Sequence, residues 1–143
     1  MDTAPFVEIR LAQRFDAPAE RVFDAWIDPA IAAQWLFATA SRPVPRVEID
    51  ARAGGEFRFE SRHHGENVVE AGRYVEIERP RRIAFTLPAR PKSSDLTRVK
   101  VEIESEATGC RLTLVHESVL RDEAPRIEGR WAGMLYGLAT IVE

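Results

Sequence analysis

The chain has 143 residues, of which 45% are hydrophobic and 30% charged, and its formal net charge is −3. This length suits one domain spanning residues 1–143 with a single core, and the composition is that of an ordinary globular protein. The slight acidic excess argues against a nucleic-acid-binding protein, which usually shows a basic surplus or a basic stripe.

The first predicted elements are one strand and two short helices. Residues 6–15 alternate between polar and apolar side chains, which predicts a half-buried strand. Pro18 suits the start of a helix, and the next apolar residues share one helical face. Asp28-Pro29 ends this helix and starts another, with Asp28 as the N-cap. The face of the first helix comprises Val22, Phe23, Trp26 and Ile27.

The middle of the chain is predicted to form about six strands. Between residues 44 and 117 the apolar side chains recur with a period of two, and turn residues interrupt the pattern. Gly72 within one strand predicts a bulge or a bend, and residues 88–95 read as a loop. Because the connections are short, neighbouring strands should pair antiparallel.

The chain ends in a predicted helix over residues 125–142, about 27 Å long at 1.5 Å per residue. Its apolar stripe comprises Ile127, Trp131, Met134, Leu135, Leu138 and Val142. A long sheet with one apolar face must cover that face, and this helix has the matching length. We therefore expect an α+β fold in which a curved antiparallel sheet of six to seven strands surrounds the C-terminal helix.

The sequence holds no pattern typical of metal, cofactor or thiol chemistry, so we expect neither a cofactor nor a metal. His63 and His64 are neighbours, which a strand would point to opposite faces, so they suit a hairpin end better than a metal site. Cys110 is the only cysteine and lacks a nearby base, which favours a structural role. Residues 1–5 show no leader-like pattern, and we expect a cytoplasmic protein without a membrane span.

Five stretches in this order resemble the AHSA-like family, named for the activator of the 90-kDa heat-shock protein's ATPase. The family belongs to the START-like, pollen-allergen-like helix-grip (SRPBCC) superfamily. The stretches are residues 15–35 (FDAPAERVFDAWIDPAIAAQW), 51–61 (ARAGGEFRFES), 70–87 (EAGRYVEIERPRRIAFTL), 111–118 (RLTLVHES) and 128–138 (EGRWAGMLYGL). Members often carry paired tryptophans after the second helix, where this chain has Trp35-Leu36-Phe37.

The resemblance implies a cavity between sheet and C-terminal helix that holds a lipid-, sterol- or polyketide-like apolar ligand. The residues expected to line it are Trp35, Phe37, Phe57, Phe59, Tyr74, Phe85, Leu114, His116, Trp131 and Leu135. His116 lies on the same strand face as Leu114 and would be the polar anchor, although a hydrogen-bonded core histidine is the commoner case. The alternative for each of these aromatic residues is that it simply fills the core.

Two other functions stay open at this point. A co-chaperone-like protein-interaction module would show an exposed apolar patch and no sizeable cavity. A cyclase- or dehydratase-like enzyme would need a carboxylate or histidine with a perturbed pKa inside the cavity, for which only His116 and Tyr74 are available. We expect a binding protein rather than an enzyme.

The last helix also carries an uncharged outer face. Gly129, Gly133 and Gly137 recur every four residues, and no charged residue occurs between Trp131 and Val142. A helix that packs one face on a single domain is usually charged on the other. Besides a merely neutral surface, this pattern predicts a homodimer through the glycine face.

Overall fold

The computed structural model describes residues 5–37, 46–63, 65–89 and 93–143. The elements are β1 (Phe6–Phe15), α1 (Ala19–Ile27), α2 (Pro29–Trp35), β2 (Arg46–Ile49), β3 (Glu56–His63), β4 (Glu66–Glu78), β5 (Arg82–Pro88), β6 (Leu96–Glu106), β7 (Gly109–Leu120) and α3 (Ala124–Val142). A single 3-10 turn, Arg121–Glu123, joins β7 to α3.

Within the described ranges the strands form one seven-stranded sheet in the order β1-β7-β6-β5-β4-β3-β2, and every pair is antiparallel. This curved sheet with its long C-terminal helix and two short helices after β1 confirms the predicted α+β fold. The strands β3 and β4 pair up to His63 and Glu66, so this hairpin ends where it was predicted, although His64 lies outside the described residues.

The sequence Asp28-Pro29 determines how α1 meets α2. The Asp28 carboxylate accepts hydrogen bonds from the backbone N–H groups of Ala30 and Ile31, at 2.9 and 3.3 Å, and so caps α2. Pro29 has no N–H to donate to the carbonyl of Ala25, four residues earlier. The indole Nε1–H of Trp35 donates to that carbonyl instead, at 3.0 Å. The last residue of α2 is therefore tied to α1.

Two irregularities change which side chains face inward. In β4 the register shifts between Tyr74 and Glu76, rather than at Gly72 as predicted. Gly72 is needed for another reason: a Cβ there would lie 2.6 Å from the Phe57 ring and 2.0 Å from the carbonyl oxygen of Thr86. Val7 of β1 pairs with Val119 of β7, but Ile9, two residues later, pairs with His116, three residues earlier. The strand β7 therefore holds one extra residue here, and Ser118 has a φ of 62°. This bulge buries Val119.

The core lies between the concave face of the sheet and the three helices. Five residues of the predicted α3 stripe are buried, whereas Ile127 is half-buried. The predicted inner face of α1 is also buried, apart from half-buried Ile27. No helix in the described ranges is long and apolar enough to cross a bilayer.

Candidate functional site

A cavity of about 200 Å³ lies between the first half of α3 and one end of the sheet. The end of β5, the start of β6 and the end of β7 meet there because the three strands run antiparallel. The lining residues are Phe37, Glu70, Leu87, Pro88, Ala89, Thr97, His116, Val119, Leu120, Arg126, Ile127, Arg130, Trp131 and Met134. Most of this wall is apolar, and its polar groups fall into two sets.

The first polar set is a buried chain of hydrogen bonds around His116. The indole Nε1–H of Trp131 donates to His116 Nδ1 at 3.0 Å. His116 Nε2 lies 2.8 Å from the hydroxyl of Thr97, which donates to the carbonyl of Leu87 at 3.1 Å. This series of hydrogen bonds connects α3 with β7, β6 and β5.

The direction of these hydrogen bonds defines which nitrogen of His116 carries the proton. An indole nitrogen only donates, so Nδ1 must be the unprotonated acceptor, and the neutral ring carries its proton on Nε2. His116 is 5% exposed, and burial lowers the pKa of its side chain from 6.5 to about 4. At neutral pH the side chain is therefore uncharged, and each ring nitrogen already has a protein partner.

The second polar set lies at the mouth of the cavity. Arg130 of α3 forms an ion pair with Glu70 of β4, with 2.8 Å between Nη2 and Oε1. Their side chains are 35% and 26% exposed. The Arg130 guanidinium also lies 5.5 Å from the ring centroid of Phe37, a distance typical of a cation–π contact. Arg126, one turn earlier, pairs with Glu123 and is largely exposed.

Phe37 adopts an unusual backbone conformation next to this mouth. Its φ of 58° falls in the left-handed region, which costs a non-glycine residue about 1–3 kcal/mol. Its backbone N–H contacts the sulfur of Met134 at 3.1 Å. The ring packs against Phe59 and Trp131, with centroids 5.1 and 6.0 Å away. These contacts hold the ring between α3 and β3.

Three of the ten residues predicted from the sequence line the cavity: Phe37, His116 and Trp131. The other seven are buried in the core cluster and do not line it. They are Trp35, Phe57, Phe59, Tyr74, Phe85, Leu114 and Leu135. The predicted set is thus continuous in space but belongs mostly to the packed core beside the cavity. For Tyr74, burial raises the pKa of the phenol above 10, its usual value.

Several lining residues escaped prediction, and for some of them the sequence held a signal. Thr97 lies two and four residues before Val99 and Val101, so it shares their inward-facing side of β6. The alternation of the sequence therefore predicts a hydroxyl on that face. Arg126 and Arg130 are four residues apart and flank the apolar stripe of α3. The sequence held no comparable signal for Val119, because its inward position depends on the bulge in β7.

Neither cysteine chemistry nor metal binding has a site among the described residues. Cys110 is fully buried, and burial raises the pKa of its thiol. No group of three or more His, Cys, Asp or Glu side chains within the described ranges is placed to hold a metal ion. The predicted pair His63 and His64 is not informative here, since both side chains lie outside what the structure describes.

The sequence matches a family model over residues 16–143, described as Activator of Hsp90 ATPase homolog 1-like protein. The chain belongs to this AHSA1-like family. No curated protein matches it.

Solved structures share the AHSA1-like fold along nearly the whole chain. A Chromobacterium violaceum protein is 28% identical, with a TM-score of 0.84 over 95% of this chain and 97% of that one. A Nitrosomonas europaea protein is 17% identical, with a TM-score of 0.83 over 99% and 97%. An AHSA1-like protein from Aeromonas hydrophila is 20% identical, with a TM-score of 0.82 over 94% and 90%. The last two likenesses concern the fold alone.

Proposed function

We propose that this AHSA1-like protein binds one small, mostly apolar molecule in the cavity beneath the first half of α3. The observation that carries the proposal is an unfilled space of about 200 Å³ beside a densely packed aromatic core. Apolar walls with a few fixed polar groups are typical of small-molecule sites. An unfilled apolar space costs stability, so a cavity retained at this place favours a binding role.

The volume narrows the ligand class expected from the sequence. Typical small-molecule sites measure about 300–1,000 Å³, whereas an apolar cavity of about 150 Å³ accepts benzene. A space of about 200 Å³ therefore suits one ring with a short side chain, or a short aliphatic chain. A sterol or a multi-ring polyketide needs a wider site. Of the ligand classes expected from the sequence, we therefore propose a small lipid-like or one-ring molecule.

The state of His116 favours binding over catalysis. A general acid or base works best with a pKa near the working pH, whereas the pKa of His116 is lowered to about 4 by burial. Both ring nitrogens already have partners in Trp131 and Thr97. We propose that His116 orients the cavity wall, and that it is not the polar anchor expected from the sequence.

Filling the cavity tests this function directly. Ile127 is a half-buried lining residue, so Ile127→Trp would place a large side chain in the space. The matched control is Val69→Trp, because Val69 is 41% exposed and does not line the cavity. Native mass spectrometry with organic extraction would detect a co-purifying molecule, and NMR titration with one-ring compounds would detect weaker binding.

We expect wild type and Val69→Trp to bind such a compound and Ile127→Trp to lose it. Equal binding by all three proteins would place the ligand elsewhere and refute the cavity as its site. Absence of binding by wild type across a one-ring library would refute the small-molecule function.

A co-chaperone-like interaction module is our second proposal, supported by the family description and by exposed apolar side chains. Phe6 and Leu96 are 51% and 60% exposed and line the same surface depression at the end of the sheet near the cavity. Such exposed apolar groups are typical of protein-binding surfaces. Pull-down with a purified 90-kDa heat-shock protein, with Phe6→Ser and Leu96→Ser as comparison, tests this proposal. Retained binding by both variants would refute this surface.

We also propose a homodimer through the outer face of α3, where Tyr136 is 72% exposed. A Cβ added to Gly129 or Gly133 would meet open space, whereas one added to Gly137 would lie 3.8 Å from the Cβ of Trp35. Sedimentation of wild type and Tyr136→Glu tests it, and a wild-type monomer at tens of micromolar would refute it. A cytoplasmic location stays a prediction.

A further inference from the structure

We infer that the bound molecule carries a carboxylate at the cavity mouth, where Arg130 holds it, and that its apolar part points inward. This inference rests on the proposed function, because it concerns the ligand of the same cavity. It follows from the different state of the polar groups at the two ends of the site.

The inner end offers little to a polar ligand group. The His116 ring accepts from Trp131 and donates to Thr97, and Thr97 in turn donates to the Leu87 carbonyl. A ligand that hydrogen-bonded to the ring would have to break a buried bond and leave its former partner unsatisfied. The inner end therefore favours an apolar group, such as a ring or a short chain.

The mouth offers a guanidinium that already binds a carboxylate. Arg130 contacts an oxygen of Glu70 at 2.8 Å, and the buried Phe37 ring supports its guanidinium at 5.5 Å. A guanidinium has five N–H donors, so the ion pair with Glu70 leaves donors for a second acceptor. At 35% exposure its charge is screened less than that of a fully exposed arginine.

The charges around the mouth favour an anion over a cation. Arg126 and Arg130 both line the cavity, whereas Glu70 is the single acidic lining residue among those described. Glu123 pairs with Arg126 outside the cavity. A cationic ligand would approach two guanidinium groups to reach one carboxylate. An anionic ligand can bind Arg130, either by displacing Glu70 or by sharing the guanidinium with it.

Three probes of equal shape test the inference. They are 3-phenylpropanoate, 3-phenylpropan-1-ol and 3-phenylpropylamine, each with one ring and a three-carbon chain. Dissociation constants come from NMR titration at pH 7. We expect the carboxylate to bind about tenfold more tightly than the alcohol, as one added charge-assisted hydrogen bond predicts, and the amine to bind most weakly.

Two variants assign the preference to the proposed pair. Arg130→Gln should remove the advantage of the carboxylate and leave the affinity of the alcohol unchanged. Glu70→Gln should tighten carboxylate binding several-fold, because it removes the competing carboxylate. The matched controls are Arg73→Gln and Glu56→Gln, which break an exposed ion pair between β4 and β3 and should change neither affinity.

The outcomes separate this inference from the proposed function. Equal binding of alcohol and carboxylate by wild type, lost in Ile127→Trp, would overturn the inference and keep the cavity function. Tightest binding of the amine, abolished by Glu70→Gln, would overturn it in favour of Glu70 as the anchor. Failure of all three probes to bind wild type would count against the proposed function itself.

Discussion

The two ends of the space between α3 and the sheet differ in packing, although the same helix and the same sheet form both. Aromatic rings fill one end. The Trp26 ring lies 4.7 Å from Trp35 and 6.4 Å from Phe85, centroid to centroid. Phe57 lies 5.3 Å from Phe85 and 5.2 Å from Tyr74. These spacings are those of close aromatic contact.

The other end keeps the cavity. Of the described residues in and just after the two short helices, only Phe37 reaches its wall. Trp131 marks the border, since its ring lies 6.2 Å from Trp26 while its indole nitrogen donates to His116. The comparison indicates that the short helices complete the filled end, because they add Trp26 and Trp35 to the rings that the strands supply. Where their contribution ends, one helix and a sheet leave room that their own side chains do not occupy.

The largest expected effect comes from removing a ring at the filled end. Trp26→Ala should lower the free energy of unfolding by about 3–5 kcal/mol, because Trp26 is 2% exposed and its loss leaves a large void. Urea denaturation measures the change. Trp26→Phe is the control and should cost less, since the indole N–H has no hydrogen-bond partner among the described residues. A loss below about 1 kcal/mol for Trp26→Ala would show that this end is not densely packed.

The next effect concerns the polar wall of the cavity and appears on acidification. His116 has a folded-state pKa of about 4, against 6.5 for the ordinary side chain. Between these values the unfolded chain binds a proton that the folded chain does not, so stability falls as pH drops from 6.5 towards 4. Protonating Nδ1 would also remove the acceptor for Trp131. The expected loss is about 3 kcal/mol over this range.

Urea denaturation at several pH values, compared with His116→Phe, isolates this contribution. The variant should be less stable at pH 7, because Trp131 and Thr97 lose a partner, but it should lack the added dependence on pH between 6.5 and 4. Parallel pH profiles for the two proteins would contradict a depressed pKa of His116.

Much of the fold was predictable because it depends on local patterns. Alternation placed the strands, Asp28-Pro29 divided the two helices, and a stripe of apolar residues defined α3. The candidate site was harder to predict, since alternation reports which side chains face inward and not whether the space between them is filled. Phe57 and His116 share that inward orientation, yet only His116 lines the cavity.

The remaining site residues depend on long-range geometry. The pairing of Glu70 with Arg130 joins residues far apart in sequence and requires the register of β4 relative to α3. Val119 faces the cavity because one extra residue near Ser118 changes which side chains of β7 point inward. Nothing local in the sequence marks that extra residue, and a shift by one residue exchanges the two faces of a strand.

The smallest expected effect compares the two ends by adding one methylene group to each. Val101 and Val119 are both 1% exposed, but only Val119 lines the cavity. Val101→Ile should cost about 1–3 kcal/mol, because a filled core has no room for the added atom. Val119→Ile should instead be neutral or gain up to about 0.8 kcal/mol, because the methylene enters existing space. It should also weaken binding of a one-ring ligand. Equal costs at both positions, measured by urea denaturation, would mean that the cavity wall cannot accept even one further carbon, and the contrast between the two ends would fail.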